Sequence, residues 1–377
     1  MAIRIKAAVL SAMGVVPSYA SSRPLTIEEV ELDPPGPGEV LVRIRAAGLC
    51  HSDLSVIDGN RPRPVPMALG HEAAGTVEEA GPDVSDLARG DHVVCVFVPS
   101  CGHCSPCAEG RPALCEPGAA ANGAGTLLSG TRRLRRHDGT PVHHHLGVSA
   151  FAEYATVSRR SLVKVDPDLP PEEAALFGCA VLTGVGAVVN TARMPAGSST
   201  AVIGLGGVGL CSVLGALAAG AREVVAVDLA DDKLALARQL GATATFDARD
   251  PDCAEQVRSA TGGGVEFAFE LAGSVRALEL AYRITRRGGT TVTAGLPPPA
   301  ATMALPAVNL VAEERTLKGS YIGTAVPSRD IPRYIRLYRR GRLPVDRLMS
   351  GTLPLAQINE GFDRLREGRA VRQVVVP

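Results

Sequence analysis

A glycine-rich turn between two apolar runs constrains the fold of this 377-residue chain more than any other feature. The run AVIGL (201–205) leads into the pattern G-x-G-x-x-G, whose glycines are Gly204, Gly206 and Gly209. A second apolar run, EVVAVD (223–228), precedes the amphipathic segment DDKLALARQLG. Strands and helices that alternate at this spacing predict a parallel sheet with helices on both faces, and therefore an α/β fold.

The same turn has the sequence context of a dinucleotide-binding site. Its first glycine permits the tight bend, the second lets the backbone approach a pyrophosphate, and the third lets helix and strand pack closely. Gly207 and Val208 complete the turn, and the following helix offers N–H groups to the phosphates. Asp228, nineteen residues beyond Gly209, could accept hydrogen bonds from both ribose hydroxyls and would repel a 2′-phosphate. The pattern predicts NAD rather than NADP, although Lys233 weakens that preference and Asp228 could instead cap a helix.

Composition excludes several other classes of protein. The chain is 46% hydrophobic and 21% charged, and its 39 basic and 39 acidic residues give a formal charge of zero. This is an ordinary globular profile without the basic excess of a nucleic-acid binder. Residues 201–220 are long and apolar enough to cross a bilayer, but their six glycines favour a buried strand, turn and helix. The first residues, MAIRIKAAVL, lack the features of a secretory signal, so we expect no membrane partner and a cytoplasmic protein.

Four of the nine cysteines lie within 15 residues, at positions Cys101, Cys104, Cys107 and Cys115. Four thiolates in tetrahedral geometry suit Zn²⁺, and a site with four protein ligands is closed and structural. The alternative is an iron–sulfur cluster, since C-x2-C-x2-C also begins the ferredoxin pattern. In that pattern the fourth cysteine follows after three residues, whereas seven intervene here, which favours structural zinc.

A second set of candidate metal ligands is scattered along the chain. Cys50 lies in GLCHSD, His71 and Glu72 lie in GHE, and Cys179 lies in FGCAVLTG. Two thiolates and one imidazole form the set that holds a catalytic zinc and leaves one coordination position free. Taken singly, each cysteine could be a packing residue and the histidine an ordinary buried polar group. Spacing alone does not bring residues about 110 apart together.

Residues 116–150 contain Gly, Ala, Arg and His without a period. We therefore predict a long surface loop there, and we place its three consecutive histidines, His143, His144 and His145, at the surface.

Together these motifs, with HHLGVSAFAEY at 144–154, resemble the zinc-dependent medium-chain alcohol dehydrogenases in order and spacing over essentially the whole chain. The resemblance implies a GroES-like, mostly β catalytic domain built from residues 1–180 and 322–377, with the structural zinc lobe at about 95–117. It implies a Rossmann domain, a doubly wound parallel sheet that binds NAD, at residues 181–321. It also implies a homodimer and two zinc ions per subunit, one catalytic and one structural.

The resemblance assigns roles to individual residues. It implies Cys50, His71 and Cys179 as ligands of the catalytic zinc, with Glu72 as an alternating ligand. It implies that Asp53 orients the ring of His71. The remaining roles that it implies are the hydroxyl proton acceptor Ser52, the nicotinamide neighbours Thr183 and Val208, the pyrophosphate contacts His51 and Arg372, and the substrate-pocket residues Arg61 and Phe97.

The implied activity is the interconversion of alcohols and aldehydes or ketones, with hydride transfer between a zinc-bound alkoxide and NAD. Three positions depart from the family pattern. Ser55 stands where many members end the proton relay with a histidine, and Ala119 stands where glutathione-dependent formaldehyde dehydrogenases have an arginine. Arg61 occupies a position that is often apolar in the family. This suggests substrates with an acidic or polar tail, and the alternative is a solvated arginine on a loop. Phe97 matches the aromatic residue that narrows the inner pocket in the family, which implies moderately sized primary alcohols or aldehydes rather than bulky ketones.

Two other enzymes stay open as alternatives: a nicotinoprotein with permanently bound NAD, and a dehydrogenase that oxidises a thiol adduct of formaldehyde. From a different class, the chain could be a non-catalytic sensor that binds zinc and NAD(H). A sensor would be marked by loss of the catalytic zinc ligands, and all three are present here, which favours an enzyme of small-molecule alcohols or aldehydes.

Overall fold

The computed structural model describes all 377 residues. The strands are β1 (Ile3–Leu10), β2 (Leu25–Leu32), β3 (Glu39–Gly48), β4 (Met67–Ala68), β5 (Glu72–Ala80), β6 (His92–Cys95), β7 (Leu134–Arg135), β8 (Pro141–His144), β9 (Tyr154–Ser158), β10 (Leu162–Val165), β11 (Ser199–Ile203), β12 (Glu223–Asp228), β13 (Ala244–Asp247), β14 (Val265–Glu270), β15 (Thr285–Thr293), β16 (Thr316–Gly319), β17 (Met349–Pro354) and β18 (Arg372–Val376).

The α-helices are α1 (Tyr19–Ser22), α2 (His51–Ile57), α3 (Ser105–Ala108), α4 (Glu116–Ala124), α5 (Pro171–Leu176), α6 (Leu182–Gly186), α7 (Gly207–Ala218), α8 (Asp231–Leu240), α9 (Cys253–Ala260), α10 (Val275–Ile284), α11 (Ala307–Ala312), α12 (Pro327–Arg339) and α13 (Ile358–Arg366). Short 3-10 and π-helical turns lie between them, and the π-helical turn Phe177–Val181 carries Cys179.

The chain forms two compact units. The first consists of Met1–Cys179, Val326–Pro332 and Asp346–Pro377, and the second consists of Ala180–Ala325 and Arg333–Val345. The resemblance places the divisions between residues 180 and 181 and between residues 321 and 322. In the structure, residues Arg333–Val345 group with the second unit rather than with the first.

The first unit is built around β-structure, as the resemblance implies. Strands β1, β2, β7, β8 and β4 close a barrel, and a second sheet has the order β10-β6-β5-β3-β18-β17, with β9 paired to β3. Strand β1 shows why both layers form. Its residues Ile5, Ala7 and Val9 pack into one apolar cluster, and the alternate residues Ala8 and Leu10 pack into the other. A strand buried on both faces is expected to be apolar at successive positions.

The predicted surface loop at residues 116–150 is wrong. This segment contains α4, β7 and β8, and β8 pairs with β4 and β7 as part of the barrel. His144 and His145 are 0% and 1% exposed, so they are not surface histidines. Strands of two and four residues are too short to show a period of two in the sequence, which is why no pattern revealed them.

The second unit is a six-stranded parallel sheet in the order β13-β12-β11-β14-β15-β16. All five residues of β11 are buried, as a central strand covered on both faces requires. The order reverses between β11 and β14, and ligands of such sheets bind beyond the carboxyl ends of the strands at this reversal. The glycine turn follows β11 directly, and the doubly wound fold predicted from the strand–helix alternation is confirmed.

One helical segment, Pro171–Ala192, is long and apolar enough to cross a membrane on length and composition. It contains α5, α6 and the π-helical turns beside them, and 83% of its most apolar window is buried inside the protein. A buried core helix meets the same two criteria. The other long apolar stretch, residues 201–220, contains the end of β11, the glycine turn and the 12-residue helix α7.

Candidate functional site

Cys50, His71 and Cys179 come together in the first unit. Strands β3 and β5 are antiparallel neighbours with Gly48 opposite Glu72, so Cys50 just after β3 lies beside His71 just before β5. The ligand atoms of the three residues all lie within 4.8 Å of one another. The Sγ of Cys179 lies 3.6 Å from the Nε2 of His71. The three residues are 6%, 0% and 4% exposed, so this is an enclosed cluster.

A glycine lets the turn that carries Cys179 approach the sheet. A Cβ on Gly178 would lie 2.1 Å from the carbonyl oxygen of Cys95 on β6, a distance that no side chain tolerates. The short apolar sequence around Cys179 therefore packs directly against the end of β6, and the thiol is held inside the unit.

The two thiols of this cluster compete for one negative charge. The hydrogen bond from the Cys179 thiol, together with the nearby His71, holds the pKa of Cys50 well below its usual range. The same hydrogen bond to Cys50, reinforced by burial, raises the pKa of Cys179 well above its usual range. A divalent cation removes this conflict because it holds both sulfurs as thiolates. Two thiolates and one imidazole nitrogen are a ligand set of catalytic zinc, so the residues fit this metal.

Asp53 contacts the ring nitrogen of His71 that does not face the thiols, and so orients the ring. It lies on α2 and is 0% exposed, and its Oδ1 lies 3.1 Å from the Nδ1 of His71 and accepts a hydrogen bond from Gly70 N at 3.0 Å. With the Nδ1 proton directed at the carboxylate, the Nε2 lone pair of His71 faces the thiols, as metal binding requires. Burial opposes ionisation of Asp53, but the charge and hydrogen bonds of His71 and His145 lower its pKa.

His145 is the residue of this site that the sequence did not reveal. Its Nδ1 lies 3.0 Å from Asp53 Oδ1, and its ring packs edge to face on the ring of His71 with centroids 5.4 Å apart. The available signal was its position next to the apolar stretch 146–152, which favours burial over exposure. A histidine beside a buried strand needs a polar partner, and the sequence does not say which one.

Glu72 and Arg372 form a buried pair beside the cluster. A Cβ on Gly48 would lie 2.4 Å from Glu72 Oε1, so this glycine makes room for the carboxylate. An Arg372 guanidinium nitrogen lies 3.4 Å from Glu72 Oε2 and donates to Leu49 O at 3.3 Å. Burial outweighs the attraction of Arg372 and raises the pKa of Glu72 to about 7. Glu72 therefore lies next to the three proposed ligands, and Arg372 lies beside Glu72.

The other predicted pocket residues lie in the first unit. The Phe97 ring meets the His71 ring edge to face, with centroids 5.2 Å apart. Ser52 is half-buried in the first turn of α2, and His51 at its start is exposed. Arg61 is half-buried in the segment between α2 and β4, and its N–H donates to Ser55 O. Phe97 thus lies beside His71, and the structure positions Arg61 through its backbone.

The four clustered cysteines form a second potential metal site in the first unit. Their sulfurs all lie within 4.8 Å of one another, and those of Cys104 and Cys115 are 3.9 Å apart. Backbone N–H groups of Cys101 and Gly118 donate to the Cys115 sulfur at 3.1 and 3.4 Å. The backbone N–H of His103 is the main cause that lowers the pKa of Cys101 to about 6. Amide groups directed at sulfur stabilise thiolates, so the segment fits a tetrahedral cation.

The glycine turn of the second unit has room for a ligand. A Cβ on Gly204, whose φ is +90°, would lie 2.5 Å from Ala272 N, and one on Gly209 would lie 1.8 Å from Gly204 O. These two glycines are therefore required for the packing of the fold, whether or not a ligand binds. A Cβ on Gly206 would meet nothing within 4 Å, which leaves open space at the start of α7. No side chain caps this helix, so its first N–H groups can bind an anion.

Asp228 ties the end of β12 to the glycine turn. Its Oδ2 accepts a hydrogen bond from Leu205 N at 2.6 Å, and its Oδ1 accepts from Leu229 N and Ala230 N just before α8. A carboxylate offers about four lone-pair sites, so capacity for a ligand hydroxyl remains. The two roles predicted for Asp228, ribose contact and helix start, are compatible. Lys233 is half-buried on α8.

Thr183 and Val208 lie on helices that pack closely. Thr183 on α6 is 9% exposed, and Val208 in the first turn of α7 is half-buried. A Cβ on Gly184 would lie 2.3 Å from Val208 O, so α6 and α7 touch at this glycine. The second unit therefore brings these two predicted nicotinamide neighbours to one place.

Comparisons with known proteins agree with this architecture. The family model described as alcohol dehydrogenase GroES-like domain matches residues 36–167, and the one described as zinc-binding dehydrogenase matches residues 207–340. A Mycobacterium tuberculosis protein with the provisional name alcohol dehydrogenase D is 42% identical over 362 residues, which are 95% of this chain and 98% of the relative.

Solved structures are similar over the full length. An alcohol dehydrogenase zinc-binding domain protein from Burkholderia ambifaria is 37% identical, with a TM-score of 0.94 and 100% of both chains covered. A benzyl alcohol dehydrogenase from Acinetobacter calcoaceticus is 32% identical, with a TM-score of 0.92 and 99% of both chains covered. A zinc-binding dehydrogenase of Sinorhizobium meliloti with a TM-score of 0.79 and 28% identity, covering 100% of both chains, was solved with NADP bound.

The resemblance stated from the motifs is confirmed, as are the GroES-like and Rossmann-type architectures. Because the two family models cover more than half of the chain and the relative matches nearly all of it, the chain belongs to the zinc-dependent medium-chain alcohol dehydrogenases, a family of oxidoreductases.

Proposed function

We propose that this chain is a NAD-dependent alcohol dehydrogenase that interconverts small alcohols and aldehydes at a catalytic zinc. The convergence of Cys50, His71 and Cys179, with ligand atoms within 4.8 Å of one another, carries this proposal. It supports a catalytic rather than a sensing role because the set has only three ligands and a zinc ion accepts a fourth.

Each proposed residue has a task in the reaction. The bound zinc would act as a Lewis acid that lowers the pKa of an alcohol hydroxyl. Cys50, His71 and Cys179 would hold the ion, and Asp53 keeps the Nε2 of His71 directed at it. Ser52 Oγ would accept the hydroxyl proton and pass it on. Ser55, which stands where many family members end the proton relay with a histidine, is no base at neutral pH. Glu72, buried beside the ligands, is proposed as an alternating ligand.

The cofactor is proposed to be NAD, held at the glycine turn and at Asp228. The carboxylate of Asp228 disfavours a 2′-phosphate by charge, and the open space at Gly206 suits a pyrophosphate at the start of α7. Thr183 and Val208 are proposed to line the nicotinamide. The assignment of His51 and Arg372 to the pyrophosphate stays a prediction, as does the contribution of Lys233. The NADP-bound relative makes this choice a matter for measurement.

The four-cysteine site is proposed to hold a structural zinc, which gives two zinc ions per subunit. Arg61 and Phe97 are proposed to select substrates, Phe97 by limiting size near the metal and Arg61 by favouring an acidic or polar tail. A homodimer in the cytoplasm, without nucleic-acid or membrane partners, completes the proposal.

A substrate screen with metal analysis tests the proposed function. The purified protein is analysed for zinc and assayed for NADH formation over neutral and acidic alcohols, with NADP⁺ in parallel. We expect two zinc ions per chain, activity with NAD⁺, and less activity with NADP⁺. Cys179→Ser should lose one zinc ion and the activity, while the matched Cys253→Ser, at a buried thiol outside both clusters, should keep both. Full activity of Cys179→Ser would refute the proposal.

A further inference from the structure

The carboxylate of Asp53 meets two imidazoles rather than one. The Nδ1 of His71 lies 3.1 Å from Oδ1, and the Nδ1 of His145 lies 3.0 Å from the same oxygen. The backbone N–H of Gly70 donates to Oδ1 at 3.0 Å. The rings of His71 and His145 are nearly perpendicular to each other, at 85°, with their centroids 5.4 Å apart.

His145 is itself held firmly in place. Its side chain is 2% exposed, and its backbone N–H donates to Ser149 Oγ at 2.9 Å. That hydroxyl in turn donates to Ala68 O on β4 at 2.8 Å. A polar ring enclosed in this way needs a hydrogen-bond partner, and Asp53 is the carboxylate that it reaches.

We propose that His145 is a positioning residue for the catalytic metal: its imidazole, whose Nδ1 lies 3.0 Å from Asp53 Oδ1, holds the Asp53 carboxylate in the orientation that directs the Nε2 of His71 at the ion. This inference rests on the proposed zinc site at Cys50, His71 and Cys179. Gly70 N, His71 Nδ1 and His145 Nδ1 all contact Oδ1, and His71 Nδ1 also lies 3.1 Å from Oδ2, so loss of His145 removes one of the contacts that keep the carboxylate in place. The looser carboxylate would then fix the His71 ring less well.

Zinc release measures this role directly. Loss of a group that orients a metal ligand typically lowers metal affinity or activity about 10- to 100-fold. His145 contacts Asp53 rather than the metal ligand His71 through a hydrogen bond, so we expect an effect near the lower limit. Zinc transfer from the holoenzyme to a chromogenic chelator is followed in time. The two zinc ions should be released in separate kinetic phases. The phase that is missing in Cys179→Ser belongs to the catalytic zinc, and the phase of the four-cysteine zinc serves as the internal reference.

His145→Asn and His145→Leu form a matched pair. The two side chains have almost the same shape, but only asparagine places an N–H where the imidazole Nδ1 lies. We expect the leucine variant to release the catalytic zinc about tenfold faster than the wild type. The asparagine variant should release it at close to the wild-type rate, and the reference phase should not change in either. His144→Leu, at the adjacent buried histidine, controls for damage to the fold.

Equal release rates for the asparagine and leucine variants, whether fast or slow, would overturn the role of His145 while leaving the proposed function intact. Fast release in His144→Leu as well as in His145→Leu would also overturn it, because the effect would then be one of packing. A wild-type protein that holds zinc only at the four cysteines would refute both the His145 role and the proposed function.

Discussion

Gly48 illustrates how a single missing side chain shapes the proposed active site. It lies opposite Glu72 in the β3–β5 pair, and any Cβ would collide with the Glu72 carboxylate. The carboxylate consequently lies in a buried position, and the Arg372 guanidinium is 3.4 Å from one of its oxygens. A buried carboxylate is costly for stability, and such costs are tolerated mainly at functional sites.

The glycines of the turn after β11 allow a test that separates folding from cofactor binding. Gly209→Ala should lower the unfolding free energy by about 1–3 kcal/mol, because its methyl group would lie 1.8 Å from Gly204 O. Gly206→Ala should change the unfolding free energy by no more than about 0.5 kcal/mol. It should weaken the binding of NADH about tenfold, because its methyl group enters the open space at the start of α7. Thermal unfolding and NADH fluorescence titration measure the two effects. Normal NADH affinity in Gly206→Ala would contradict the placement of the pyrophosphate.

His144 should make the protein sensitive to acid. Burial lowers its pKa from 6.5 to about 4, and its Nε2 accepts a hydrogen bond from Arg133 N. Below its ordinary pKa the unfolded chain takes up a proton that the folded chain refuses, so stability falls as the pH drops from 6.5 to about 4. The loss from this residue approaches about 3 kcal/mol.

His144→Gln keeps an acceptor for Arg133 N and cannot be protonated. Thermal unfolding followed by circular dichroism should therefore show a smaller loss of stability on acidification than in the wild type. His137→Gln, at a residue whose side chain is 81% exposed, should behave like the wild type. The same acid sensitivity in His144→Gln and the wild type would show that His144 is not the cause.

Among the elements, the pairing of β3 with β5 does most to assemble the candidate zinc site. It sets the end of one strand beside the start of the other, and so joins Cys50 to His71 across 21 positions of sequence. Helix α2 begins at His51, directly after Cys50, and places Asp53 within its first turn behind the His71 ring. Two strand ends and one helical turn thus supply both a ligand and the group that orients it.

The segment that holds the four cysteines should depend on its metal. Helix α3 has four residues, none of them buried, and the 3-10 turn Pro112–Leu114 has three. Helices this short are not stable alone. Cys104→Ser should lose one zinc ion, and proteases should cut within residues 101–115 faster than in the wild type. Cys253→Ser, in the second unit, should keep both zinc ions and the wild-type cleavage rate. A Cys104→Ser protein as resistant as the wild type would show that the segment folds without metal.

At the scale of the whole molecule, the two kinds of chemistry are assigned to separate compact units. The candidate metal ligands all lie in the first unit, and the glycine turn, Asp228, Thr183 and Val208 all lie in the second. Each unit has its own buried apolar cluster, so each can position its residues with its own packing.

This division predicts where NADH protects the protein. At about 100 times its dissociation constant, a ligand that binds only the folded state stabilises it by about 2.7 kcal/mol. Hydrogen exchange should slow upon NADH addition at the start of α7 and at the carboxyl ends of β11 and β12. The barrel strands β7 and β8 serve as the internal reference and should not change. NADPH at the same concentration should slow hydrogen exchange in the second unit less than NADH does. Equal protection by the two cofactors would refute the proposal that Asp228 selects NAD over NADP.

The sequence by itself determined what depends on neighbours along the chain. The strand, turn and helix around Gly204 and Gly209 follow from local backbone geometry, and the four-cysteine set from its spacing, so these patterns were visible in the residues. The resemblance in motif order then supplied the family. The tertiary structure alone decided which distant side chains meet: Cys179 with Cys50 and His71, Arg372 with Glu72, and His145 with Asp53. Such encounters depend on strand pairing and packing over long distances in sequence, which leave no period or spacing in the chain.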